Sequence, residues 1–136
     1  MPQPGASTQT SAQLQPILEE LIGREPIFHR PDRPTTMAPS YWEVGASGRR
    51  YSREFILQHL AASPPVDAVQ AGWQTSGHAV LRLSADTYLF TYTLRQSERL
   101  TRRATIWQQT LSGWQVLFHQ GTIVSAGEDD VAPAQS

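Results

Sequence analysis

Arg103, Thr105 and Trp107 recur at alternate positions of one short run, and Glu43, Tyr92, Phe118 and Gln120 are further residues whose types suit a shared pocket. A guanidinium offers a planar fork of donors that fits a carboxylate, an enolate or a carbonyl oxygen. Thr105 and Gln120 add hydrogen-bonding groups, while Trp107, Phe118 and Tyr92 supply aromatic walls. A mostly apolar lining with a few polar groups is the usual make-up of a small-molecule site. The competing reading puts Arg103 at a sheet rim, its stem over Trp107 and its head paired with a surface acid. Glu43 sits between Trp42 and Val44. Facing a cavity, it would lose water, rise in pKa and serve as a general base or acid. Strand alternation sends it the opposite way from Trp42 and Val44, which favours solvent or an Arg partner. Glu43 and Arg103 are thus the catalytic candidates. His29, His59 and His78 show no metal-ligand spacing, and the chain has no Cys, so no metal site and no cofactor is expected.

These side chains need a sheet to hold them. Arg102 to Trp107 and Trp114 to Thr122 are rich in aromatic and β-branched residues and flank Thr110-Leu111-Ser112-Gly113, the pattern of an antiparallel hairpin. A two-residue turn at Leu111-Ser112 places Trp107 opposite Val116, Thr105 opposite Phe118 and Arg103 opposite Gln120. One face then carries Trp114, Trp107, Val116, Phe118, Thr105, Arg103 and Gln120. The other carries Ile106, Leu117, Ala104 and His119. On that second face His119 is expected to pack in an interface, hydrogen-bonded to backbone. A turn of odd length exchanges the faces. A preceding strand, Tyr88 to Arg95, joins through a loop over Gln96 to Thr101. Six loop residues pair Tyr92 with Thr105 and Phe90 with Trp107, which brings Tyr88, Phe90, Tyr92 and Leu94 to the aromatic face.

Upstream, Leu14, Ile17, Leu18, Leu21 and Ile22 recur at helical spacing, with Pro16 in the first turn and an end near Gly23 or a kink at Pro26. His29 to Pro39 reads as an irregular connection. Tyr41 to Val44 is a strand that returns through Gly45-Ala46-Ser47-Gly48. Ser52 caps a helix over Arg53 to Ala61, and Trp73 to Leu83 is a further strand. Helices first and strands afterwards make an α+β fold, one curved antiparallel sheet wrapped around the N-terminal helix with a cavity between them. The foldable unit spans 14–124. Residues 1–13, poor in apolar side chains, and 125–136, an acidic stretch, read as disordered tails.

The chain has 136 residues and a net charge of −1, which suits one domain and speaks against nucleic acid or a membrane surface as partner. All eleven basic residues are Arg. The N-terminus lacks a basic and an apolar signal region, so a cytoplasmic protein is expected.

Arg103-x-Thr105-x-Trp107, Trp114-x-x-x-Phe118-His119-Gln120-Gly121-Thr122, the Trp42-Glu43-Val44-Gly45-Ala46-Ser47-Gly48-Arg49 stretch and the Ser52-capped helix together resemble nuclear transport factor 2-like proteins, in particular the SnoaL-like group called domain of unknown function 4440. The resemblance implies a cone-shaped fold with a cavity under a bent sheet and a homodimer formed through that sheet. Relatives tend to carry a second helix where this chain is short, between His29 and Tyr41. Members range from isomerases, cyclases, dehydratases and hydrolases to association domains, so the fold leaves function open. Three readings follow: a module binding a small apolar molecule, an acid-base enzyme on a small carbonyl or polyketide-like compound, and a dimerisation domain without ligand. Too few acids in the expected pocket favour the first and third. A cavity holding Arg103 and a buried carboxylate would favour the enzyme.

Overall fold

The apolar stripe of the first helix needs a partner, and the inner face of the sheet provides it. The computed structural model describes residues 12–25, 36–62 and 71–125. A short 3-10 turn, Ala12–Leu14, leads into α1, Gln15–Arg24, whose Leu18 and Leu21 are buried while Ile22 is exposed. Then come β1 (Met37–Val44), β2 (Arg50–Ser52), α2 (Arg53–Ala62), β3 (Gln74–Arg82), β4 (Thr87–Gln96), β5 (Arg99–Thr110) and β6 (Gly113–Ile123). Ser52 caps α2 as its type suggests, accepting from the Phe55 N–H at 3.1 Å. Of the stretches 1–13 and 125–136 expected as tails, residues 1–11 and 126–136 lie outside the described residues, as does most of the irregular connection, while Ala12 and Gln13 belong to the 3-10 turn.

The strands form a single sheet in the order β2-β1-β6-β5-β4-β3. Helices plus one sheet make the α+β class expected, with one difference. The pair β1–β6 runs parallel, so the sheet is mixed rather than wholly antiparallel. β1 is also longer than Tyr41 to Val44, starting at Met37.

Register decides which side chains share the inner face, and two details differ from the sequence reading. The β4–β5 connection is the two-residue turn Ser97-Glu98, so Tyr92 faces Arg103 and Phe90 faces Thr105. Against a six-residue loop this moves each partner by two positions. Because side-chain direction has a period of two, the inner set Tyr88, Phe90, Tyr92 and Leu94 is unchanged. In the β5–β6 hairpin Trp107 does face Val116, but Ile106 faces Phe118, leaving Leu117 as the extra residue of a β-bulge. Beyond the bulge every pairing shifts by one. Thr105 therefore faces His119 and Arg103 faces Gly121. His119 joins the inner face, whereas Phe118 and Gln120 turn to the outer one.

The core is built on that inner face. Trp107, Phe90, Tyr41, Val116 and Leu21 are its largest fully buried side chains, with Tyr88, Leu94, Val80, Met37 and Ile56 around them. Tyr88 and Trp114 pack ring to ring at 5.7 Å, and the edge of Trp114 meets Trp107 at 6.4 Å.

Candidate functional site

A carboxylate stands in the middle of this core. Glu25 is the C-cap residue of α1, its backbone N–H bonded to the Leu21 carbonyl, and only 6 % of it is exposed. Helix geometry brings it there. Leu18, Leu21 and Glu25 lie three and four residues apart, on one face of α1, so the packing that buries the leucines also carries the carboxylate under the sheet.

An ionised carboxylate survives burial only when its oxygens are satisfied. The Tyr92 hydroxyl donates to Oε2 at 2.7 Å, the Thr105 hydroxyl donates to the same oxygen at 2.7 Å, and the Trp107 Nε1–H donates to Oε1 at 3.0 Å. Desolvation dominates nonetheless. It lifts the Glu25 pKa from 4.5 to about 7, against the downward pull of Tyr92, Thr105, Trp107 and the charge of Arg103. Burial and the neighbouring Glu25 raise the Tyr92 phenol, which stays a protonated donor.

Behind Thr105 the bonds continue in one direction. Thr105 Oγ1 lies 2.7 Å from His119 Nδ1, and His119 Nε2 lies 3.3 Å from Arg103 Nη1. A guanidinium can only donate, so Nε2 must be the bare nitrogen and Nδ1 carries the proton. Thr105, accepting from Nδ1–H, is left to donate to Glu25. In that arrangement the whole chain of hydrogen bonds points at the carboxylate.

Arg103 is held by its own surroundings. Its Nε donates to Thr101 Oγ1 at 2.9 Å, and its guanidinium lies on the backbone of Gly121. A Cβ at Gly121 would stand 3.0 Å from Cζ and 3.1 Å from Nε and Nη1, so the guanidinium would have to give way to any larger residue there. Desolvation lowers the Arg103 pKa, while Tyr92, Glu43 and Glu25 act to raise it.

The residues singled out in the sequence separate into two groups. Tyr92, Arg103, Thr105 and Trp107 converge on the inner face around Glu25. Glu43 joins them, since Trp42 faces outward and Glu43 pairs with His119 across β1–β6. It is half-buried, accepts from the Tyr41 hydroxyl and feels the charge of Arg103. Phe118 and Gln120 are not part of the cluster: the bulge at Leu117 turns them outward, and Phe118 packs on Trp42 with ring centroids 4.7 Å apart. His119, expected in an outer interface, is instead 5 % exposed inside the network. Glu25 carried no signal as a site residue, because it follows a helix whose stripe reads only as core. Its place one turn beyond Leu21 was the available clue. Among the described residues no group of three acids or histidines is placed to hold a metal ion.

A bent mixed sheet with α1 against its inner face is the fold of nuclear transport factor 2-like proteins, and solved structures bear this out. A protein of unknown function from Pectobacterium atrosepticum, of the domain of unknown function 3225 family, superposes with a TM-score of 0.64 at 16% identity, covering 85% of this chain and 94% of that one. A nuclear transport factor 2-like protein from Cytophaga hutchinsonii gives 0.62 at 14% identity, with 84% and 100% covered. A putative calcium/calmodulin-dependent kinase II association domain from Exiguobacterium sibiricum gives 0.58 at 16% identity, with 89% and 100% covered. No protein-family model and no curated protein matches the sequence. Among the described residues no helix is long and apolar enough to cross a membrane.

Proposed function

We propose that this chain holds a small, mostly apolar molecule with a carbonyl or hydroxyl group against the inner face of its sheet, and that Glu25 moves a proton to or from it. The observation that supports the reading is the buried carboxylate poised at a pKa of about 7. A general base or acid is most effective when its pKa lies near the working pH. Glu25 has about four lone-pair sites and three donors, which leaves room for one more partner on Oε1. The aromatic side chains of the same face enclose an apolar body, and Arg103 beside Glu43 offers a charged end. Glu25 is the acid that the sequence reading lacked.

The test is a thermal-shift screen of small ketones and apolar acids, followed by proton–deuterium exchange at the carbon beside the carbonyl of each hit. Parent protein should accelerate exchange, Glu25→Gln should still bind but lose the acceleration, and Arg103→Met should bind more weakly by about 1.5 to 3 kcal/mol, the scale of a charged hydrogen bond. Equal exchange rates for parent and Glu25→Gln would remove the catalytic part of the reading.

A second reading, association of two copies through the outer sheet face, is supported by a separate observation. Leu81, Leu89, Ile106, Phe118 and Trp42 are direct cross-strand partners in turn, an apolar row across β3, β4, β5, β6 and β1. Leu81 is 58 % and Trp42 44 % exposed at its two ends. A continuous apolar row on a sheet face suits a self-complementary contact. The neighbour from Exiguobacterium sibiricum bears the name of an association domain. The two readings use opposite faces and are compatible.

A further inference from the structure

The outer face changes character towards the β3 edge. Two rows beyond the apolar one, Ser76 pairs with Thr93 and Thr93 with Arg102, and in the next row Gln74 pairs with Arg95 and Arg95 with Leu100. These residues, with Thr75, line an open basin of about 680 Å³. β3 is irregular at this point. Its register shifts between Ser76 and Ala79, where Gly77 takes a φ of +64° that a side chain would resist, and the Thr75 hydroxyl bonds His78 Nε2 at 2.9 Å. The bulge re-aims the end of the edge strand, so that Gln74, Thr75 and Ser76 stand beside the two arginines.

The chemistry of the basin is one-sided. Arg95 and Arg102 are diagonal neighbours on adjacent antiparallel strands, close enough for both guanidinium groups to reach one ligand. Arg102 Nη1 donates to Thr93 Oγ1 at 2.7 Å, which orients the guanidinium along the floor and turns the Thr93 hydroxyl proton elsewhere, as a donor. Gln74 and Ser76 add an amide and a hydroxyl, while the Thr75 hydroxyl is engaged by His78, and none of the described lining residues is acidic. Leu100 and the aliphatic stems of the arginines give an apolar patch beside the charged one.

We infer that this basin is a second binding site, separate from the Glu25 network on the opposite face, for the oxyanion of a small organic molecule, a phosphate monoester or a carboxylate. Two guanidinium forks match planar or tetrahedral oxygens in pairs, and the hydroxyls complete the ring of donors. The volume exceeds that of a bare inorganic ion, so an organic body rests on Leu100.

Isothermal titration with phenyl phosphate, benzoate, inorganic phosphate and phenol tests this, using the parent chain, Arg95→Met, Arg102→Met and the Glu25→Gln variant. Phenyl phosphate should bind, with benzoate weaker because it carries less charge, inorganic phosphate weaker because it lacks the ring, and phenol failing to bind. Each arginine substitution should weaken phenyl phosphate by roughly tenfold or more, the ratio corresponding to one charged hydrogen bond, and added salt should weaken it further. Glu25→Gln should leave it unchanged, which separates this site from the inner one. Arg95 is exposed, so Arg95→Met keeps the test valid if Arg102→Met loses stability. Absence of phenyl phosphate binding at millimolar concentration, or binding as tight as the parent's by both arginine variants, overturns the proposal. So does a dimer that only Arg102→Met dissociates, since the basin would then be covered by a second copy.

Discussion

The indole N–H of Trp107 donates to the carboxylate of Glu25 across 82 positions of sequence, at 3.0 Å. The bond ties the end of α1 to the middle of β5 and makes one residue both the largest element of the core and a partner of the buried charge. Trp107 is 0 % exposed. Trp107→Ala should cost about 3 to 5 kcal/mol through the cavity it leaves. Trp107→Phe keeps most of the volume but withdraws the donor, and should cost about 1 to 3 kcal/mol. Denaturant titration of both variants checks the assignment; a loss below about 1 kcal/mol for Trp107→Ala would contradict it.

Glu25 links stability to pH. Its folded pKa, about 7, lies above the unfolded value of 4.5, so the folded chain holds the extra proton. The stabilisation is complete below about pH 4.5 and is lost as pH rises through about 7, a change of about 3 kcal/mol. His78 works the other way: burial lowers its pKa, so its contribution to stability falls away as pH drops. The difference between parent and Glu25→Gln isolates the glutamate. Unfolding free energies measured from pH 4.5 to 8 should show the variant gaining on the parent as pH increases. Parallel curves would mean that Glu25 titrates in its ordinary range.

Gly121 and Arg103 should be coupled. A methyl group at Gly121 meets Cζ of Arg103 at 3.0 Å, so Gly121→Ala should displace the guanidinium and cost about 1 to 3 kcal/mol. In an Arg103→Ala background the three nearest contacts of that methyl group are gone, and its cost should fall. A double-mutant cycle should give a coupling of about 0.5 to 3 kcal/mol.

The proposed dimer makes a simple hydrodynamic prediction. At roughly tens of micromolar the parent should sediment as a dimer, and Trp42→Glu, placed at an exposed end of the apolar row, as a monomer of unchanged fold. A parent that sediments as a monomer at that concentration would remove this reading.

Much of this architecture was legible in the sequence because it rests on local periodicity. The 3.6-residue stripe of α1, the Ser52 cap, the two-residue turn at Leu111-Ser112 and the alternation in β4 and β5 are each set by neighbours in the chain. Even the mistaken length of the β4–β5 loop did no harm, since a shift of two positions leaves every side chain on its own face. What only the tertiary structure decided has odd parity or long range. The single extra residue at Leu117 carries no glycine or proline to announce it, yet it exchanges Phe118 and Gln120 for His119 and Gly121 on the inner face. Glu25, 67 to 82 positions from its three donors, becomes a site residue only because burying Leu18 and Leu21 draws it under the sheet. Its carboxylate has no local partner among these donors, and its ionisation is set by burial, a property of the packed molecule rather than of any segment.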